Sequence, residues 1–160
     1  MMFNGTIALL VVAVAANGLL SGASGDQSIK QLPARRRIGS VAYSEYSRAG
    51  DLGNGIAWYA IVGIGAAVLS VIAAVVVLVH QPTSGQALAG WALIVTTVGH
   101  MAVTGIAAPT NMSQRRYIGD EAALTRLFNR FERLQTVRWA LNLAALLAAG
   151  WVLIETLRAS

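Results

Sequence analysis

The chain has 160 residues, 56% of them hydrophobic and only 12% charged, with a formal net charge of +5 and no cysteine. Soluble domains of this size carry far more charge, and the missing cysteines exclude disulfides, thiolate metal sites and cysteine nucleophiles. Positive charge raises the question of nucleic acid, but here it is confined to two stretches between apolar runs, a placement that suits anionic lipid headgroups and predicts no nucleic-acid partner.

Four apolar runs, at about residues 3–20, 55–79, 87–108 and 136–154, organise the sequence. Each is long enough to cross a hydrocarbon core of ~30 Å as an α-helix, and none shows the polar face of a helix on a soluble domain. The expected fold is all-α: one integral membrane four-helix bundle forming a single domain over 1–160. The first run ends near Asn17 and Gly18, and Ser21 to Gly25 is rich in small residues like a signal cleavage site. A basic segment before the run is missing, so it reads as an uncleaved span.

Residues 21–54 are too many for a simple turn. Their second half, Ile38 to Ala49, carries Val41, Tyr43, Tyr46 and Arg48 and predicts a short interfacial helix, broken by Gly50, Gly53 and Gly55. In the second run Gly63 and Ala67 stand at small-xxx-small spacing, with Ser70, Ala73 and Ala74 nearby, which predicts close helix packing. Residues 81–85 make a tight turn, and the third run is expected to stop at Pro109. The fourth helix should start well before its apolar run, at Asp120, where acidic residues suit a helix N-terminus. Roughly its first third should project into the cytoplasm. The stripe Leu124, Leu127, Phe128 and Phe131 then needs a cover, from the first loop of the same chain, a second copy or a partner subunit.

Lys30, Arg35, Arg36, Arg37 and Arg48 lie in the first loop and Arg115, Arg116, Arg126, Arg130 and Arg133 in the second, 109–135; residues 80–86 carry none. Positive charge in short loops marks the cytoplasmic side. The expected arrangement is a multi-pass protein of the bacterial inner (plasma) membrane, both termini outside.

Polar residues inside spans are costly, so their depth is informative. Asn17, Trp58, Tyr59, His100, Asn111, Gln135, Arg138, Trp139 and Asn142 all fall toward the end with the basic loops, and Phe131, Gln135, Arg138 and Asn142 share one face of the fourth helix. Such a stripe must face protein or water. In one reading Arg138 snorkels to the headgroups, Asn142 joins helices and His100 is a packed core histidine. In the other, His100, Arg138 and Asn142 form a catalytic group, and Asn17, Trp58, Tyr59, Asn111, Gln135 and Trp139 bind substrate. His100 is then the natural general base. His80 lies near the opposite face, too far for a shared haem, and acidic residues are scattered, so no metal and no cofactor are expected.

Pro109-Thr110-Asn111, followed by a basic helical stretch and Phe131 through Arg138, resembles the anthrone-oxygenase-like family of small four-span membrane proteins, with its Pro-x-Asn after the third span and an aromatic residue seven before an Arg entering the fourth. The segment from Leu32 to Arg48 is similar to the amphipathic stretch that family carries after its first span. Many members have Trp where this chain has Phe131. The resemblance implies oxidation of a hydrophobic phenolic or polyketide-like substrate by dioxygen without metal or flavin, with His100 as base and Arg138, Asn142 or Asn111 holding the enolate. Arg138-x-x-x-Asn142 also echoes the four-span glutathione- and eicosanoid-metabolising enzymes, but Ala145 stands where they have Glu. A non-catalytic small-molecule binder or a subunit of a larger complex is the alternative. A transporter is disfavoured by the absence of an acid deep in a span.

Overall fold

A computed structural model describes residues 2–159, with side chains for 5–159; the side chain of Phe3, where the first run begins, lies outside the described residues. The described chain is helical almost throughout. Helix α1, Met2–Asp26, widens into one π-type turn, Gln27–Gln31, and continues as α2, Leu32–Ile38. Proline has no N–H to donate to the carbonyl four residues back, so Pro33 would leave a regular α-turn strained, and the wide turn before it absorbs the mismatch. Gly39, at φ +84°, then reverses the chain in a conformation that suits glycine.

Helix α3, Ser40–Ala49, leads through a second wide turn, Gly50–Asn54, kinked at Gly53. Helices α4, Gly55–Val79, and α5, Ser84–Met112, are joined by a short turn, and a 3-10 turn, Ser113–Arg116, precedes α6, Glu121–Arg158. Four helical stretches are long and apolar enough to cross a membrane. Their outward faces are apolar too: Ile61 is 73% exposed, Val95 67% and Leu147 67%. An outward face of this kind suits contact with lipid.

Three expectations need correction. Helix α1 does not end near Gly18 but runs to Asp26 and, through the wide turn, on into α2. Moving out of the apolar stretch lowered the hydropathy without breaking the helix, and pairs such as Asp26–Lys30, 2.5 Å apart, support it. Helix α5 does not stop at Pro109 but runs on to Met112. Side chains stabilise the turns around the proline: Thr110 Oγ1 donates to the Ile106 carbonyl at 2.8 Å and Ser113 Oγ to that of Thr110 at 2.7 Å. The small residues of α4 pack tightly only in part. Ser70, Ala73 and Ala74 are buried, whereas a Cβ added at Gly63 would meet nothing within 4 Å.

The start of α6 is fixed by its surroundings. Asp120 caps it, Oδ1 accepting from the Ala123 N–H at 2.9 Å. Glu121 reaches across to accept from the backbone N–H groups of Ser40 and Val41 at 2.7 and 2.9 Å, satisfying the open first turn of α3.

The interior forms two apolar layers. At the end bearing the His80–Thr83 turn, alanines of all four long helices interlock with leucines, among them Leu10, Ala13, Ala73, Ala74, Ala89, Leu93, Ala145 and Ala149. At the basic end, Leu32, Tyr43 and Ala107 enclose Leu124, Leu127, Phe128 and Phe131. Tyr43 meets Phe128 edge-on at 4.9 Å, an arrangement worth about 0.5–1.5 kcal/mol beyond the buried area. The stripe on α6 is therefore covered from within the chain, by α2 and α3. Arg35, 4% exposed, locks this cover to α6 through Glu132 and through Asn129 Oδ1 at 2.7 Å, and Arg36 joins Glu132 at 2.9 Å.

Candidate functional site

Between the two apolar layers lies a polar one. On α1 and the wide turn after it, Asn17, Ser21, Ser24 and Gln27 recur at spacings of four, three and three and are all buried, one face of one helix. They face the corresponding stripe of α6. Asn142 Nδ2 donates to Asn17 Oδ1 at 3.4 Å, Gln135 Nε2 to the Ser24 carbonyl at 3.2 Å, and Arg138 Nη2 to Gln27 Oε1 at 3.3 Å. Asn17 extends this seam to α4 by donating to Ser70 Oγ at 2.7 Å.

The seam borders a cavity of about 420 Å³ enclosed by α1, α4, α5, α6 and the 50–54 turn. That volume lies in the range of small-molecule sites. Most of the wall is apolar, from residues such as Leu20, Ile64, Met101 and Phe131. The polar groups gather toward the basic end: Gln27, Asp51, Tyr59, His100, Asn111 and Arg138. Asp51 enters from the wide turn before α4, where Gln27 Nε2 donates to Oδ2 at 2.9 Å and Ser47 Oγ at 3.1 Å. Gln114 continues the network. It donates to Ser47 Oγ at 3.2 Å and to Asn111 Oδ1 at 2.9 Å, and accepts from Ser44 Oγ at 2.9 Å.

His100 is 5% exposed, and its Nδ1 lies 3.1 Å from the Arg138 carbonyl oxygen. A carbonyl only accepts, so Nδ1 carries the hydrogen of the neutral ring and Nε2 is left as the base. Arg138 spends one donor on Gln27, while its buried Nε has no partner. Asn111 uses its oxygen on Gln114, so its Nδ2 hydrogens are those left for a ligand. The cavity thus offers one imidazole acceptor, one guanidinium and one amide donor, close to a carboxylate that never pairs directly with the guanidinium.

Of the residues singled out from sequence, His100, Arg138, Tyr59 and Asn111 line this cavity. Asn17 and Asn142 line only a much smaller gap next to it, shared with His100. Gln135 is buried in the helix seam, Trp139 lies against Gly25, and Trp58 is 44% exposed on the bundle surface. Gln27, Asp51 and Gln114 were missed. Asp51 brings a carboxylate to the cavity from the turn before α4, not from a span. The buried Asn17–Ser21–Ser24–Gln27 spacing was a readable signal for the helix that positions it.

Among the described residues no three His, Asp or Glu side chains gather in a way that could hold a metal ion. No family model, curated protein or solved structure matches the chain.

Proposed function

We propose that this is a multi-pass membrane enzyme that binds a hydrophobic phenolic or polyketide-like molecule in the 420 Å³ cavity and deprotonates it at His100. The observation that carries the reading is the His100 ring held by the Arg138 backbone, which leaves Nε2 as the acceptor in a largely apolar pocket that also contains the Arg138 guanidinium. Removing a weakly acidic proton creates an enolate or phenolate. A half-buried guanidinium whose buried Nε–H is unspent stabilises that anion more than the neutral substrate, and this difference is what accelerates the step.

The reaction favoured is a cofactor-independent oxygenation in which dioxygen is the oxidant. The substrate methylene gives up two hydrogens and gains one oxygen atom as a carbonyl, and the second oxygen atom leaves as water. Resemblance of the Pro109–Asn111 and Phe131–Arg138 segments to the anthrone-oxygenase-like family supports the same chemistry. Binding without turnover is the second reading, favoured by the Gln27 bridge, which ties Arg138 into the scaffold. Anthrone oxidation by purified protein in detergent, measured as dioxygen uptake above the uncatalysed rate, tests the two. Uptake supports the enzyme; saturable anthrone binding with no uptake leaves the binder.

A further inference from the structure

Helices α4 and α5 pack closely at the end where they are joined and part toward the basic end. Near the turn, a Cβ added to Gly90 would come within 3.1 Å of Leu78 Cγ. At Gly63 on α4 and Gly105 on α5, an added Cβ would meet nothing within 4 Å. Both glycines line the cavity. So do Ile56, Ala60 and Ile64 of α4 and Pro109 and Met112 of α5, and these five are also exposed on the outside of the bundle. The cavity therefore has a mouth on the flank of the bundle, between α4 and α5.

The depth of this mouth matters. Ile64 stands nine residues into α4, or ~13 Å along the helix from its start, within an apolar run whose neighbours face outward. Toward the basic end the cavity is roofed by Leu52, Gln27 and Asn111, each less than 10% exposed. Arg115 fastens that roof by donating to the Leu52 carbonyl at 3.0 Å. The roof residues are buried and hydrogen-bonded, whereas the flank residues are apolar and exposed.

We infer that the ligand enters sideways from the bilayer through the α4–α5 gap, and that it is an amphiphile with one oxygen-bearing head. The head comes to lie against Arg138, Asn111 and His100, and the apolar body lies along α4 and α5 toward the gap. Arg138 and Asn111 call for an acceptor oxygen, and His100 Nε2 for an acidic hydrogen. A phenol or enolisable ketone on a hydrophobic frame supplies both. The inference rests on the site proposed above and adds the route and the amphiphilic class of the substrate.

The test uses the full-length protein in phosphatidylcholine nanodiscs, loaded with an alkylphenol carrying a diazirine in its chain, with cross-links mapped by mass spectrometry. Wild type is expected to label cavity residues such as Leu20 and Met101 above the lipid-facing Ile61 and Val95. Gly105→Phe and Ala60→Phe place a ring in the mouth from opposite sides, so both should lose the cavity label. Gly105→Ala should keep it. Matching helical circular dichroism excludes misfolding, and two plugs on different helices guard against failure of either. Unchanged cavity labelling in both plugged variants, or labelling of lipid-facing residues alone, overturns lateral entry. Failure of the chemistry reads differently: labelling that obeys the plugs without dioxygen uptake leaves the portal standing. Undiminished uptake by plugged protein overturns the portal and leaves the chemistry.

Discussion

Asp51 and Arg138 are joined through a third side chain, not to each other: Gln27 donates to Asp51 Oδ2 at 2.9 Å and accepts from Arg138 Nη2 at 3.3 Å. One amide thus holds a carboxylate and a guanidinium apart while giving each a partner. A direct ion pair would satisfy both charges with one another and leave little for a ligand. The bridge keeps the guanidinium in place with donors to spare, and it fixes the turn before α4 to the extension of α1.

Gln27→Leu is the direct probe of this bridge. It removes one partner from a half-buried carboxylate and from a half-buried guanidinium at once, and an unsatisfied buried polar group costs about 1–3 kcal/mol, less where water can reach it. The expected result is a clear drop in thermal stability in detergent, together with weaker ligand binding. Gln27→Glu should restore the tie to Arg138 but place a second carboxylate beside Asp51. Stability unchanged in Gln27→Leu would show that the bridge carries no weight.

The seam deeper in the bundle gives a smaller and separable effect. Asn17 Nδ2 donates both to Ser70 Oγ at 2.7 Å and to the Ala13 carbonyl at 2.8 Å. Hydrogen bonds between helices in lipid average about 0.6 kcal/mol in coupling energy. A double-mutant cycle of Asn17→Ala and Ser70→Ala, measured by unfolding in mixed micelles, should return a coupling of about that size. Zero coupling would mean that α1 and α4 are held by packing alone.

The long elements were legible because their signals are collective. The bounds of α4, Gly55–Val79, coincide with the second apolar run, and Asp120 caps α6 as its position suggested. The break at Gly50–Gly55 is likewise present as a kinked wide turn. What the sequence hid were helices that continue after their hydropathy falls. Ser21 to Ile38 reads as polar and glycine-containing, yet the Gln27 and Arg35 side chains and the Ser24 carbonyl find partners on α6 across the bundle, a tertiary fact that no local window contains. Asp51 was hidden for the same reason, since its partners Gln27 and Ser47 come from two other elements. His100 and Arg138 were found because a polar residue within an apolar run stands out against its neighbours.

Charge makes a prediction about sidedness. The basic stretches occupy one end of the bundle and the His80–Gln86 turn, which carries no Lys or Arg, the other. Since positive charge in short connections is retained in the cytoplasm, reporter fusions at Gly119 and Gly85 are expected to report cytoplasm and exterior respectively. The reverse pattern would place the roof of the cavity outside and overturn the assignment.

The proposed catalysis turns on His100 and Arg138. His100→Gln keeps an amide near the Arg138 carbonyl but supplies no base, so dioxygen uptake with anthrone should fall to the uncatalysed rate while membrane insertion and helical content persist. Arg138→Lys keeps the charge and loses the planar fork, so it cannot serve Gln27 and a substrate oxygen together. Loss of one such stabilising donor typically lowers the rate on the order of a hundredfold, and the effect should appear in kcat more than in KM, because the anion exists only after proton transfer. Asn111→Ala removes the second donor and should produce a smaller loss of the same kind. The pattern separates chemistry from scaffolding. A variant that merely loosens the bundle lowers stability and rate together, whereas His100→Gln should lose rate with stability near wild type. Equal uptake by wild type, His100→Gln and Arg138→Lys would remove the enzyme reading and leave the cavity as a binding site.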